Sequence, residues 1–128
     1  MSLRRHIINS AFVWFGPRPK LKAVGRKPYC TFMVTLLADK EDPAAIGLKA
    51  VENHIEWHHC PLPPIKKYQK SGAFPDQIEA QIERIVALIW EACACDECVF
   101  VHCAAGQDRT GEIEKRLLAK ETHKERMR

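Results

Sequence analysis

The chain has 128 residues, with 20 Lys and Arg against 16 Asp and Glu for a net charge of +4 when His is neutral, and 46% of it is hydrophobic. That is one domain of ordinary globular composition, long enough to bury a core without metal or disulfide staples, so the six cysteines need not hold the fold. No run approaches the roughly 18 apolar residues of a membrane span, and the N-terminus lacks the apolar stretch and small-residue cleavage site of a secretory signal, so a soluble, cytoplasmic protein is expected.

In chain order, Phe12 to Phe15 is a short apolar run ending at Gly16-Pro17 and reads as a strand. Arg18, Lys20, Lys22, Arg26 and Lys27 follow as a basic cluster, which suits either an anionic ligand or a solvated face. Tyr29 to Leu37 is rich in β-branched and aromatic residues and predicts a central strand. Asp42-Pro43 supplies a cap and a first-turn proline for a helix over Ala44 to Asn53, despite Gly47. Ile55 to Cys60 predicts another strand, and Pro61 to Phe74 a Pro-rich loop carrying Lys66, Lys67 and Lys70. From Pro75-Asp76 the residues Ile78, Ile82, Ile85 and Ile89, widened by Val86 and Cys93, mark a helix with one buried face. Cys98 to His102 is an apolar strand, and from Thr110 onward the chain is charged and helix-favouring. Strands alternating with helices predict an α/β fold, a mostly parallel central sheet flanked by helices.

The chemistry concentrates in Val99-Phe100-Val101-His102-Cys103-Ala104-Ala105-Gly106-Gln107-Asp108-Arg109-Thr110-Gly111. A cysteine at the carboxyl end of a strand, followed by a short loop and an arginine at a helix start, lets the loop amides converge on one anion. The same field favours the thiolate of Cys103 over its thiol and makes it a nucleophile. Arg109 offers a planar fork for two phosphate oxygens, and Gly106 permits close approach of the backbone. Loop residues Ala104, Ala105, Gly106, Gln107, Asp108 and Arg109 thus form a candidate phosphate cradle.

At these residues the chain resembles the cysteine-dependent protein tyrosine and dual-specificity phosphatases, whose signature His-Cys-x-x-Gly-x-x-Arg-Thr-Gly is matched without a gap. A looser likeness of pattern extends over residues 30 to 111. The resemblance implies a single phosphatase-like domain over residues 1 to 128, acting on a phosphoprotein or other phosphomonoester with no cofactor and no metal. It implies that Cys103 attacks phosphorus to form a phosphocysteine while the loop amides and Arg109 hold the equatorial oxygens. Thr110 would donate its hydroxyl to the Cys103 sulfur as it leaves, and His102 would orient the loop without a chemical step.

The family's general acid is an Asp on the loop that here runs from Pro61 to Phe74, and no carboxylate stands there. Two candidates remain. Asp76 opens the next helix, where it also complements the helix dipole. Asp108 lies beside Arg109, as in bacterial tyrosine and lipid phosphatases of the family that are thought to use it, and it could instead brace the loop through backbone hydrogen bonds. The missing loop acid leaves a catalytically impaired phosphate-binding module as the alternative. Phosphoinositide phosphatases usually carry lysines within the loop, whereas Ala104, Ala105 and Gln107 are neutral, although Lys66, Lys67 and Lys70 could gather a second negative group. RNA 5′-phosphatases share the signature, and the basic stretch from Arg18 to Lys27 suits a nucleic acid.

Cys93, Cys95 and Cys98 have ligand-like spacing near His58-His59-Cys60, but Cys93 belongs to a helix stripe and Cys98 to a strand, so core or turn cysteines are expected. Beyond Gly111 only one helix remains, with Ile113, Leu117 and Leu118 as its main apolar residues. Such a minimal C-terminal part suits either a homodimer through this helix or a domain that does without further cover.

Overall fold

A computed structural model describes residues 3–127. Five strands, β1 (Arg4–Ile8), β2 (Ala11–Gly16), β3 (Phe32–Thr35), β4 (Glu56–His59) and β5 (Val99–His102), form one sheet in the order β1-β2-β5-β3-β4. All neighbours run parallel except β1, which pairs antiparallel with β2 at the edge. The helices are α1 (Ala44–Glu52), α2 (Lys66–Ser71), α3 (Asp76–Ala94) and α4 (Asp108–Arg126), with single 3-10 turns at Leu21–Ala23 and Asp39–Glu41. This is the expected α/β class.

The central strands β3 and β5 are buried along their whole length, as strands covered on both faces must be. Alternate residues serve opposite layers. Phe32, Val34, Val99 and Val101 pack with Ile82, Ile85 and Ile89 of α3 and Ile113 and Leu117 of α4. Met33 and Phe100 pack on the other face with Ile46 and Ala50 of α1. Gly47 in α1 has a steric reason: a Cβ there would stand 2.7 Å from the Trp57 ring of β4. On α4, Ile113 and Leu117 are fully buried inside the domain and Leu118 packs partly against it.

Several expectations need correction. Strand β1 was not anticipated, because Arg4, Arg5 and His6 mask its alternation; it joins β2 through Asn9-Ser10, both at positive φ (49° and 70°), a two-residue hairpin. Tyr29 to Leu37 shortens to Phe32–Thr35, although Leu36 still bonds the His102 carbonyl (2.9 Å). Asp42 does not cap α1; it adopts the left-handed conformation that ends the preceding turn, and Pro43 occupies the cap position. The Pro-rich loop contains α2, which closes on Gly72 at φ 78°. The last helix starts at Asp108, two residues before the expected Thr110.

The chain leaves β3 outward to β4 with α1 on one face, then returns over the other face through α3 to β5. The carboxyl ends of β3 and β5 therefore open on a crevice between oppositely directed crossovers, the usual place for a ligand in such sheets. Among the described residues, no helix is long and apolar enough to cross a membrane.

Candidate active site

Strand β5 delivers His102 and Cys103 to this crevice, and α4 opens at Asp108 with Arg109 in its first turn. Cys103 is only 2% exposed, and its sulfur accepts the Gly106 N–H at 3.3 Å. Gly106 sits at φ 75°, and a Cβ there would lie 2.5 Å from the backbone of Gly16 and Pro17, so the loop rests directly on the end of β2. Two carbonyls of the loop are held from outside: Ala104 accepts the Arg18 N–H (3.1 Å) and Gly106 accepts Arg4 Nη2 (3.0 Å).

Arg109 is nearly buried and bound on one edge. Nη1 donates to Glu41 Oε1 (2.7 Å) and to the carbonyls of Leu62 (3.1 Å) and Leu36 (3.4 Å), and Nη2 donates to Glu41 Oε2 (3.0 Å). The fork-to-fork pair, with a further bond from the Ala38 N–H (2.8 Å), lowers the Glu41 carboxyl to about 2 against the cost of burial. The Arg109 proton is held more tightly by Glu41 first, and also by the neighbouring Cys103 sulfur. The Cys103 sulfur and the Arg109 guanidinium thus share one cradle. Sequence reasoning missed Glu41, whose only signal was a run of charges directly after a buried strand. Arg18 fixes the turn that carries Glu41 by donating to the carbonyls of Glu41 and Asp42.

His102 is fully buried, and its state follows from its neighbours. Trp57 Nε1, which can only donate, bonds Thr35 Oγ1 (2.8 Å), so the Thr35 hydroxyl gives its hydrogen to His102 Nε2 (2.8 Å). Nδ1 then carries the ring proton toward the Cys103 carbonyl (3.2 Å). Burial, foremost, pushes the imidazole down to about 4, and it stays neutral as a brace of the strand end.

Thr110 is fully buried, yet its hydroxyl makes no hydrogen bond to a described residue, so the expected bond to the Cys103 sulfur is not formed in this structure. A buried orphan of this kind in the first turn of α4 needs a reason, because leaving it unpaired costs about 1–3 kcal/mol. Asp108 is exposed at the first position of α4. Its backbone carbonyl accepts Gln69 Nε2 (3.1 Å), but its carboxylate has no hydrogen bond to a described residue, which removes the support for a loop-bracing role. Asp76 is likewise exposed at the first position of α3 and makes no cap bond. One turn on, Glu79 accepts from Arg116, so the start of α3 packs beside the middle of α4.

The segment after β4 is stitched to this site at two points, Leu62 through its carbonyl to Arg109 and Gln69 through its amide to Asp108 and to Glu112 Oε1 (3.2 Å). Lys66, Lys67 and Lys70 are exposed along it, with Lys67 over the Tyr68 ring. The other cysteines sit apart: burial pushes Cys30 and Cys93 up to about 12 and raises Cys60 and Cys98. Among the described residues no three metal-binding side chains converge.

No protein-family model matches the chain, and no curated protein matches it. Among solved structures it is similar to the crystal structure of P. aeruginosa TpbA, with a TM-score of 0.55 and 18% identity over 84% of this chain. The chain spans 60% of the length of that structure. At this identity the likeness concerns the fold alone, a five-stranded sheet flanked by helices.

Proposed function

We propose that the protein is a phosphomonoester hydrolase working through a phosphocysteine, a protein tyrosine or dual-specificity phosphatase. One observation carries this reading: the Cys103 sulfur accepts a loop amide inside the same cradle into which Glu41 locks the Arg109 guanidinium. Such preorganised donors stabilise the charge on a transferring phosphoryl group. The Cys103 sulfur forms the S–P bond as the P–O bond to the leaving oxygen breaks, and Asp108 gives that oxygen a proton. Water then attacks phosphorus, its proton passes to the Asp108 carboxylate, and the S–P bond breaks with the Thr110 hydroxyl donating to the departing sulfur. Inorganic phosphate and the free enzyme result.

The test is release of inorganic phosphate, in reducing buffer with EDTA, from phosphotyrosine, phosphoserine, phosphoinositide and RNA 5′-phosphate substrates. Phosphotyrosine is expected to turn over most readily. Preference for the phosphoinositide or the RNA end would reassign the substrate, and binding of phosphate without release from any substrate would support the phosphate-binding module. That second reading is favoured by one feature, that neither Asp108 nor Asp76 is held by a hydrogen bond from its carboxylate to a described residue.

A further inference from the structure

Resting on the phosphatase reading, we propose that Arg4 of the edge strand is a positioning residue of the phosphate cradle, which turns the Gln107 amide toward the substrate by holding the Gly106 carbonyl outward. A trans peptide is planar, and its C=O and N–H point in opposite directions. In the Gly106–Gln107 peptide the oxygen points to Arg4 Nη2 at 3.0 Å, so the Gln107 N–H is aimed away from Arg4, while the preceding amide meets the Cys103 sulfur. The Ala104–Ala105 peptide obeys the same rule, since Ala104 O is held by the Arg18 N–H. Alternate carbonyls are thus held from two sides, which turns the amides of Ala105 and Gln107 away from Arg18 and Arg4.

Arg4 is built for this task. Its Nε is pinned to both oxygens of Glu114 (2.9 and 3.1 Å), which also meets His6 Nε2 (2.8 Å), and the Glu114 side chain is only 14% exposed. With that edge fixed, the planar guanidinium can present Nη2 to the carbonyl in one geometry, which a single ammonium on a flexible stem could not reproduce. Strand pairing sets the distance: Arg4 lies opposite Phe15, one residue before the Gly16 on which Gly106 rests. This gives the charged edge strand a purpose beyond the sheet. Arg5, its neighbour, points the other way and stacks over Phe12 and Trp14.

The experiment titrates inorganic phosphate into 15N-labelled protein and follows the amide resonances of residues 104–107, beside steady-state hydrolysis of an aryl phosphate. In wild type the Ala105, Gly106 and Gln107 amides are expected to shift downfield. In Arg4→Met the Gln107 response is expected to fall by more than half while that of Ala105 persists, phosphate affinity to weaken about tenfold, and kcat/KM to drop at least tenfold with partial rescue by added guanidinium. Arg4→Lys, which keeps charge and stem, should show the same loss at Gln107 and so serves if Arg4→Met folds poorly. Arg5→Met, the matched loss of an arginine from β1, should leave the Gln107 response intact. A Gln107 response and phosphate affinity within twofold of wild type in both Arg4 variants would overturn the proposal and leave the phosphatase reading standing. Failure of wild type to bind phosphate at all would overturn both.

Discussion

Glu41 grips Arg109 with both carboxylate oxygens, at 2.7 and 3.0 Å, from a turn 68 residues away in sequence. The pair decides which edge of the guanidinium is left for a substrate, because Nη1 is already taken by Glu41 and two carbonyls. Glu41→Gln keeps the shape and removes the charge. Charged hydrogen bonds contribute roughly 1.5–3 kcal/mol, so KM for an aryl phosphate is expected to rise about tenfold or more. Steady-state kinetics of the variant check this, and an unchanged KM would show that Arg109 is positioned without its partner.

The same carboxyl sets an acid limit. Its folded pKa of about 2 lies below the ordinary value of 4.5, so its contribution to stability is complete above that value and is lost as the pH falls from 4.5 toward 2. Chemical denaturation of wild type and Glu41→Gln should therefore differ most above pH 4.5 and converge toward pH 2.

His102 acts at milder pH with the opposite charge logic. Its folded pKa is depressed to about 4 from 6.5, so the unfolded chain binds the proton more readily between those values. Stability then falls as the pH drops through that window, by about 1.4 kcal/mol per pH unit at most. Replacing His102 by Asn, which cannot titrate, should flatten this slope in denaturation curves between pH 6.5 and 4, whatever its effect at neutral pH.

Thr110→Val exchanges the buried orphan hydroxyl for a methyl group of similar size. The thermal midpoint should hold or rise, because an unpaired buried hydroxyl costs about 1–3 kcal/mol. Turnover should suffer in the second step, with kcat falling at least about tenfold and a burst of phenol preceding the steady state. A lower midpoint with unchanged kcat would make Thr110 a packing residue.

For the acid, Asp108→Asn is expected to lower kcat on an aryl phosphate at least about tenfold and to flatten the basic limb of its pH profile, whereas Asp76→Asn should alter stability more than turnover. A substrate whose leaving group is already a weak base needs little protonation and should be much less affected by the Asp108 change. Leaving-group-dependent loss in Asp76→Asn alone would reverse the assignment, and loss in neither would move the acid to a histidine such as His58 or His59 or to water.

What the sequence revealed was what is local. The spacing of Cys103, Gly106 and Arg109 marks the loop because one strand, one turn and one helix start build it, and the isoleucine period of α3 marks a helix because one face is buried. What it concealed depends on chain segments meeting in space. Glu41 sits in a charge-rich turn like any solvated one, and nothing in its neighbourhood points to Arg109. Arg4 breaks the alternation of β1 for the sake of Gly106 and Glu114, so the polar residues that obscured the strand are the ones that tie it to the site. Helix α2 was hidden because it follows prolines and exposes three lysines, its hold on the domain coming from Gln69 and the buried Ile65.

The central claim is that phosphorus passes through sulfur at Cys103. The direct measurement is mass analysis of peptides from protein quenched in acid during turnover of an aryl phosphate in EDTA and reductant. A phosphoryl group on Cys103 in wild type, and neither adduct nor phosphate release in Cys103→Ser, is the predicted result. Sustained phosphate release by Cys103→Ser at the wild-type rate would contradict it.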